Sequence, residues 1–341
     1  MQYNKFSLIF LILVFLLGCS DQKTVSTSSE DYNCNIRINR DPGRINPFYA
    51  PTSYGRELFQ YIFLPVADFH PDDLALSPIL IKEIPEAKEY VDASGNEFIS
   101  YDITFKNNAK WSDGTPITNT DYAFTVKAIK HPASKATRWK PYFDFIKDVM
   151  LDPNDDKKLS IIMDKDYMLS KEAALTICIM PAHVFDADNK LSTVAVKTLT
   201  SDYEETDPAM TELIEGVNAS MNSKTDVVQN GPYKLIDYQT DLYIVLERIE
   251  DYWGASENDN PFLAAGPKQI IFNVVPDELT AVTMAKEGKL DFLSMKQSQA
   301  FLDLKNDETF NKMWSFHVPQ LMMFYYIAII FYGNFIKYII R

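Results

Sequence analysis

The chain reads as an exported α/β protein, and three stretches carry that reading. Ile99, Tyr101, Ile103 and Phe105 alternate with polar residues, as a strand with one buried face does, and a turn and a helical pattern follow. The apolar run Ile270 to Val275 leads through Asp277 into a helix and on to Leu290 to Leu293, a βαβ unit that implies a parallel sheet. The amino terminus has the layout of a secretory signal.

In "MQYNKFSLIFLILVFLLGCS", Lys5 precedes an apolar run from Leu8 to Leu17, which is too short to span a membrane, and Gly18 and Cys19 follow it. "LLGC" resembles a bacterial lipobox, which implies cleavage before Cys19 and acylation of that residue. Two or three acyl chains hold a protein on a bilayer where one does not. The expected location is therefore extracytoplasmic, lipid-anchored to a bacterial membrane. "SDQKTVSTSSEDYN" is short, polar and Ser/Thr-rich, a flexible tether. Cys34 and Cys178 remain, and Cys178 in "LTICIM" reads as a small buried residue.

Within "EFISYDITFKNNAKWSDGTPITNTDYAFTVKAIKHP" the strand ends in "SDGTP", where Asp113, Gly114 and Pro116 supply turn chemistry. Thr118 and Asp121 have the spacing of a capping box; Tyr122, Val126 and Ile129 share one helical face, and Pro132 closes the helix. Farther on, Asp277 caps a helix expected to bury Leu279, Val282 and Ala285, Gly288 ends it, and Leu290 to Leu293 forms the next strand.

The net charge of −14, from 33 Lys plus Arg against 47 Asp plus Glu, argues against nucleic-acid binding, which needs a basic surface. With 46% hydrophobic residues the chain fills a real core. His-Glu-x-x-His, Gly-x-Ser-x-Gly, Gly-x-Gly-x-x-Gly and P-loop motifs do not occur. His70, His131, His183 and His317 are scattered singly, and nothing singles out a pair among the 47 acids. The expectation is a non-enzyme without cofactor or metal.

"ITFKNNAKWSDGTPITNTDYAFTVKAI" resembles the signature of the family 5 extracellular solute-binding proteins, the oligopeptide- and dipeptide-binding receptors of ABC importers. "INPFYAPTSYGRELFQYIFLPV", "CIMPAHVF", "NGPYKLIDYQTDLYIVLERIEDYWG" and "IIFNVVPDELTAVTMAKEGKLDFL" are similar to further stretches of that family in the same order. The resemblance implies a periplasmic-binding-protein-like (type II) bilobal fold, here incomplete and lacking most of the second ligand-binding lobe. It divides the chain into a lipoprotein signal peptide (1–18), a flexible tether (19–33), the first part of lobe I (34–66), a smaller outer lobe (67–180), the second part of lobe I (181–318), and a crossover strand with an aberrant tail (319–341). It further implies a clamp that takes a peptide or other small solute and hands it to an ABC permease. Tyr49, Ala50, Pro51, Thr52 and Ser53 would touch ligand from one place, and Ser294, Met295 and Lys296 from a second. Loop packing for Tyr49, core filling for Met295 and an ordinary solvated lysine at Lys296 are the alternatives. "WSDGTP" reads as structural, with Trp111 in the core. Dipeptides, longer peptides, nickel chelates, sugars and haem all stay open as ligands.

"FHVPQLMMFYYIAI" reads as a buried strand and fits the family's next landmark except that Ile330 stands where Asn is expected. From Phe331 to Arg341, nine of eleven residues are Phe, Tyr, Ile, Asn or Lys, with no cap, turn or face pattern. An out-of-frame or truncated ending, with impaired binding, is the leading expectation; a native extended strand and a membrane-associated tail are its alternatives. A surface lipoprotein acting as an interaction or structural module is the alternative function, and a secreted hydrolase comes third.

Overall fold

The computed structural model describes residues 32–318 apart from 44, 49–52, 201, 221–226 and 258–259, and the backbone alone of 53, 54, 56, 220, 328–332 and 335–339. The signal, Cys19 and most of the tether lie outside the described residues. The chain divides into two compact units at Leu293/Ser294.

In chain order the first unit contains β1 (Asn33–Ile38), α1 (Ser53–Ile62), β2 (Ala67–Phe69), β3 (Leu76–Pro78), β4 (Ala87–Val91), β5 (Glu97–Thr104) and α2 (Asn119–Lys130). It continues with α3 (Lys140–Phe143), β6 (Ile146–Leu151), β7 (Lys158–Met163), α4 (Ser170–Leu175), α5 (Ala182–Phe185) and α6 (Pro208–Ser220). β8 (Tyr233–Gln239), β9 (Tyr243–Arg248), β10 (Gln269–Val274) and α7 (Glu278–Lys286) complete it.

Two four-stranded sheets organise this unit, ordered β1-β10-β9-β8 and β4-β5-β7-β6. The first is mixed: β1 runs parallel to β10, while β10, β9 and β8 are antiparallel neighbours. The expected partner strand after α7 contracts to one parallel bridge, Ile36 to Phe292, on the other side of β1. Leu58, Ile62, Tyr233, Leu246 and Phe272 fill the core between this sheet and α1. The second sheet is antiparallel throughout. Tyr101, Ile103 and Phe105 point into its core as their alternation requires, and Ile99 is half-buried.

α2 starts where Asp121 accepts the Thr118 amide at 2.8 Å. Tyr122, Val126 and Ile129 are buried, but so are Asn119, Phe124 and Thr125, so the helix is surrounded rather than one-sided. Its polar members survive burial because each is bonded: the Tyr122 hydroxyl donates to Ala174 O at 2.8 Å, and the Asn119 side chain to Lys158 O at 2.8 Å.

α7 corrects one expectation. Asp277 caps it, accepting the Thr280 amide at 2.7 Å, but Leu279 is 65% exposed. The buried row is Glu278, Ala281 and Ala285, at i, i+3 and i+7, and small alanines let this face lie close to its neighbours.

In the second unit, α8 (Ser298–Asn306) and α9 (Glu308–Met313) share a small core at Leu304 and Phe310. Phe310 stacks on Trp314 with centroids 5.0 Å apart, and Phe316 meets Phe301 edge-on at 5.5 Å. Phe316 is thereby held in a helical cluster, and Val318 is 75% exposed, so the expected buried strand does not form over 316–318. Residues 319–327 lie outside the described residues. Beyond them β11 (Ala328–Tyr332) and β12 (Phe335–Ile339) pair as an antiparallel hairpin, where the sequence reading found no pattern. Tyr332 pairs with Phe335, and the Gly333-Asn334 dipeptide between them is a recognised two-residue hairpin signal.

Candidate functional site

In open α/β sheets ligands gather beyond the carboxyl ends of the parallel strands, where loops fan out. Here β1 ends in the segment 39–52, β10 ends at Val275-Pro276-Asp277, and the Phe292 bridge strand ends at Leu293. Arg37, 5% exposed, ties two of these ends together: its Nε donates to Val275 O at 2.9 Å and its Nη2 to Pro276 O at 3.1 Å. A buried guanidinium is tolerable when carbonyl oxygens take its donors.

The segment after β1 is held at both of its described parts. The Asp41 carboxylate accepts the Gly43 amide at 2.7 Å, the Asp241 amide at 2.7 Å and the Tyr238 hydroxyl, which anchors the strand exit to the β8–β9 turn. Gly43 takes the left-handed conformation, φ +81°, that this tight exit needs. Ile45, Asn46 and Phe48 are buried, and the Asn46 side chain accepts the Phe48 amide at 2.8 Å.

Of the residues expected to touch ligand, Tyr49, Pro51 and Thr52 lie outside the described residues. Ser53 is the first residue of α1. Ser294 and Lys296 are exposed and Met295 is half-buried; the three are consecutive and open the second unit.

The motif-bearing stretches form a connected scaffold. Trp111, 2% exposed, donates its indole N–H to Asp121 at 3.3 Å, and Asp121 also accepts the Ala182 amide at 2.8 Å. Burial pushes the Asp121 carboxyl above its ordinary pKa against these bonds. Ser112 N–H donates to Gln229 O at 2.7 Å, and the Ser112 hydroxyl accepts the Gln229 amide at 3.1 Å. Asn230 then clamps the end of α1, accepting Leu64 N–H at 2.8 Å and donating to Leu64 O at 3.1 Å. Tyr252 and Trp253 close the scaffold by donating to Asn230 O at 3.2 and 3.1 Å. "WSDGTP", "NTD", "PAH", "NGPY" and "DYW" are thus joints between segments. Arg37 and Asn230 went unnoticed in the sequence; a lone charge inside the strand "NCNIRI" was the available signal for the first.

Among the described residues no group of three His, Cys, Asp or Glu side chains is placed to hold a metal. The buried His131 Nδ1 accepts the Ala133 amide at 3.2 Å, so its Nε2 carries the proton and donates to Glu205 at 3.0 Å. Burial pushes the Glu205 carboxyl up, but the Asp207 amide, the Tyr203 hydroxyl and His131 outweigh it and leave its pKa below the ordinary value. Cys34 and Cys178 are free thiols, and burial pushes the Cys178 thiol up to about 12. Among the described residues no helix is long and apolar enough to cross a membrane.

A sheet whose parallel strands end together in loops, resting on a scaffold of buried joints, is the frame of an α/β ligand-holding protein. The profile of the bacterial extracellular solute-binding proteins, family 5 middle, matches residues 93–330, and the chain belongs to that family. The oligopeptide-binding protein OppA of Bacillus subtilis is 24% identical over 355 residues, covering 95% of this chain and 55% of that protein. The solved structure of the oligopeptide-binding protein AppA of Bacillus subtilis, in complex with a nonapeptide, superposes with a TM-score of 0.57 at 16% identity, over 81% of this chain and 46% of that one. The oligopeptide-binding protein of Thermus thermophilus, complexed with a pentapeptide, gives a TM-score of 0.55 at 19% identity, over 76% of this chain and 44% of that one. The fold is therefore that of these binding proteins over less than half of their length. The chain spans about half the length of the relatives it matches.

Proposed function

We propose that this chain is a lipid-anchored, extracytoplasmic peptide-binding protein of an ABC importer and not an enzyme. The observation that carries the reading is the common exit of the parallel strands, with Arg37 joining the ends of β1 and β10 and the Phe292 bridge beside β1, which supports ligand contact in the segments leaving β1 and the Phe292 strand. Tyr49, Pro51, Thr52 and Ser53 on the first and Ser294, Met295 and Lys296 on the second are the proposed contacts. Hydrogen bonding to the main chain of an extended peptide is a mode of recognition that tolerates varied side chains. The β1-β10-β9-β8 sheet is assigned to the first lobe and the β4-β5-β7-β6 sheet to the smaller outer lobe. Cys19 is the proposed acylated residue, the bilayer and a permease the proposed partners.

Calorimetric titration of the chain with a mixture of short peptides, and separately with free amino acids, tests the reading. Heat of binding from peptides that Lys296→Ala or Thr52→Ala weakens is expected. Binding of neither, or of amino acids alone, overturns it. Radiolabelled palmitate incorporated in bacterial cells and lost in Cys19→Ala tests the anchor.

A further inference from the structure

The second-sheet region holds a cleft of about 200 Å³ lined by Trp139, Tyr142, Tyr167, Leu169, Glu172 and Ile177. It is smaller than the ~300–1,000 Å³ that drug-sized ligands occupy. Its scale is that of a single head group.

The rings are fixed in place by others. Trp139 meets buried Phe48 edge-on with centroids 6.2 Å apart, and Tyr167 stacks on Phe145 at 3.8 Å and 4°. Tyr142 stands at a tilt of 58° to Trp139, with centroids 6.4 Å apart, so these two rings form a corner. Glu172 supplies the cleft's charge: no lysine or arginine lines it. The Thr176 hydroxyl is engaged with Glu172 O at 2.8 Å, whereas the Glu172 carboxylate has no hydrogen bond or ion pair among the described residues. An unpaired carboxylate beside three aromatic rings attracts a positive charge twice, through Coulomb's law and through the negative faces of the rings. The aliphatic walls at Leu169 and Ile177 favour a cation that carries alkyl groups over a hydrated metal ion.

We infer that this cleft is a second binding site, for an organic ammonium group, lined by residues other than the proposed peptide contacts. The aromatic walls hold the alkyl shell and Glu172 holds the charge.

Saturation-transfer NMR on the 341-residue chain tests it with choline as the probe, dimethylbutanol as its neutral carbon isostere, and glucose. Choline should give a saturable signal that dimethylbutanol does not compete away. Glu172→Gln should weaken it about fivefold or more, and Tyr142→Ala, at a position 52% exposed and so tolerant of change, should weaken it likewise. The inference is overturned by no saturable choline signal, by equal binding of dimethylbutanol, by glucose binding in place of choline, or by unchanged affinity in both variants. Peptide titration in the same variants should be unaltered, which separates this site from the other.

Discussion

Gly231→Ala is the substitution that most sharply tests how the scaffold holds α1. A Cβ at that position would lie 2.5 Å from Tyr61 O and 2.9 Å from the carbonyl carbon and Cα of Ile62, all backbone atoms. Reaching an ordinary contact of 3.4 Å from 2.5 Å requires the two segments to part by about 0.9 Å. The same segments are joined by Gly231 N–H to Ile62 O at 3.0 Å and by the two Asn230 side-chain bonds to Leu64 at 2.8 and 3.1 Å. Overpacking of this kind costs about 1–3 kcal/mol, and each strained hydrogen bond adds roughly 1 kcal/mol. A total of about 4–6 kcal/mol is a large part of the ~5–15 kcal/mol that holds a domain folded. In urea, with a slope of about 3 kcal/mol/M, the midpoint should fall by about 1 M or more. Gly216→Ala is the control: it lies within α6, and its Cβ would meet nothing within 4 Å, so that change should be neutral or stabilise by up to about 1 kcal/mol. A Gly231→Ala midpoint indistinguishable from wild type would refute the claim that this close approach fixes α1.

The Glu205 cluster should make stability pH-dependent in a defined direction. Its carboxyl has a depressed pKa, so its contribution is complete above about pH 5 and is lost as pH falls through the folded-state value. The stability gap between wild type and Glu205→Gln, from urea melts at several pH values, should therefore shrink on acidification, and a gap that grows would contradict the assignment. The Cys178 thiol, raised to about 12, should resist alkylation at pH 8 in the native protein and react only after unfolding. Rapid native labelling at Cys178, read by peptide mass mapping, would show that the site opens. Asp277→Ala should lower the melting temperature by roughly 2 °C through loss of the α7 cap, with Asp277→Ser retaining most of it. Equal loss in both would mean that the cap bond is not the cause.

Short-range chemistry was legible in the sequence wherever one local rule decided the outcome. The alternation into Tyr101, Ile103 and Phe105, the Thr118/Asp121 helix start and the Asp277 cap each depend on residues a few positions apart. What depends on partners far along the chain was not legible. Leu279 is apolar yet exposed, because α7 buries the face that carries Glu278, Ala281 and Ala285 instead. Asp121 reads as a helix cap, but its second oxygen joins Ala182, sixty-one positions away. The proposed ligand-contact segments were marked by family resemblance alone, and no periodicity singles them out. The pairing of β11 with β12 was locally readable from the Gly-Asn dipeptide between them and was hidden by the biased composition around it.

Photo-crosslinking gives the most direct test of the proposed peptide site. A short peptide carrying benzoylphenylalanine would be irradiated with the 341-residue chain and the adducts mapped by mass spectrometry, a readout that captures weak complexes. Adducts within residues 49–53 and 294–296, suppressed by excess unlabelled peptide, are expected. Adducts confined to other surfaces, or unaffected by competitor, would contradict the assignment of the strand-end loops as the peptide site.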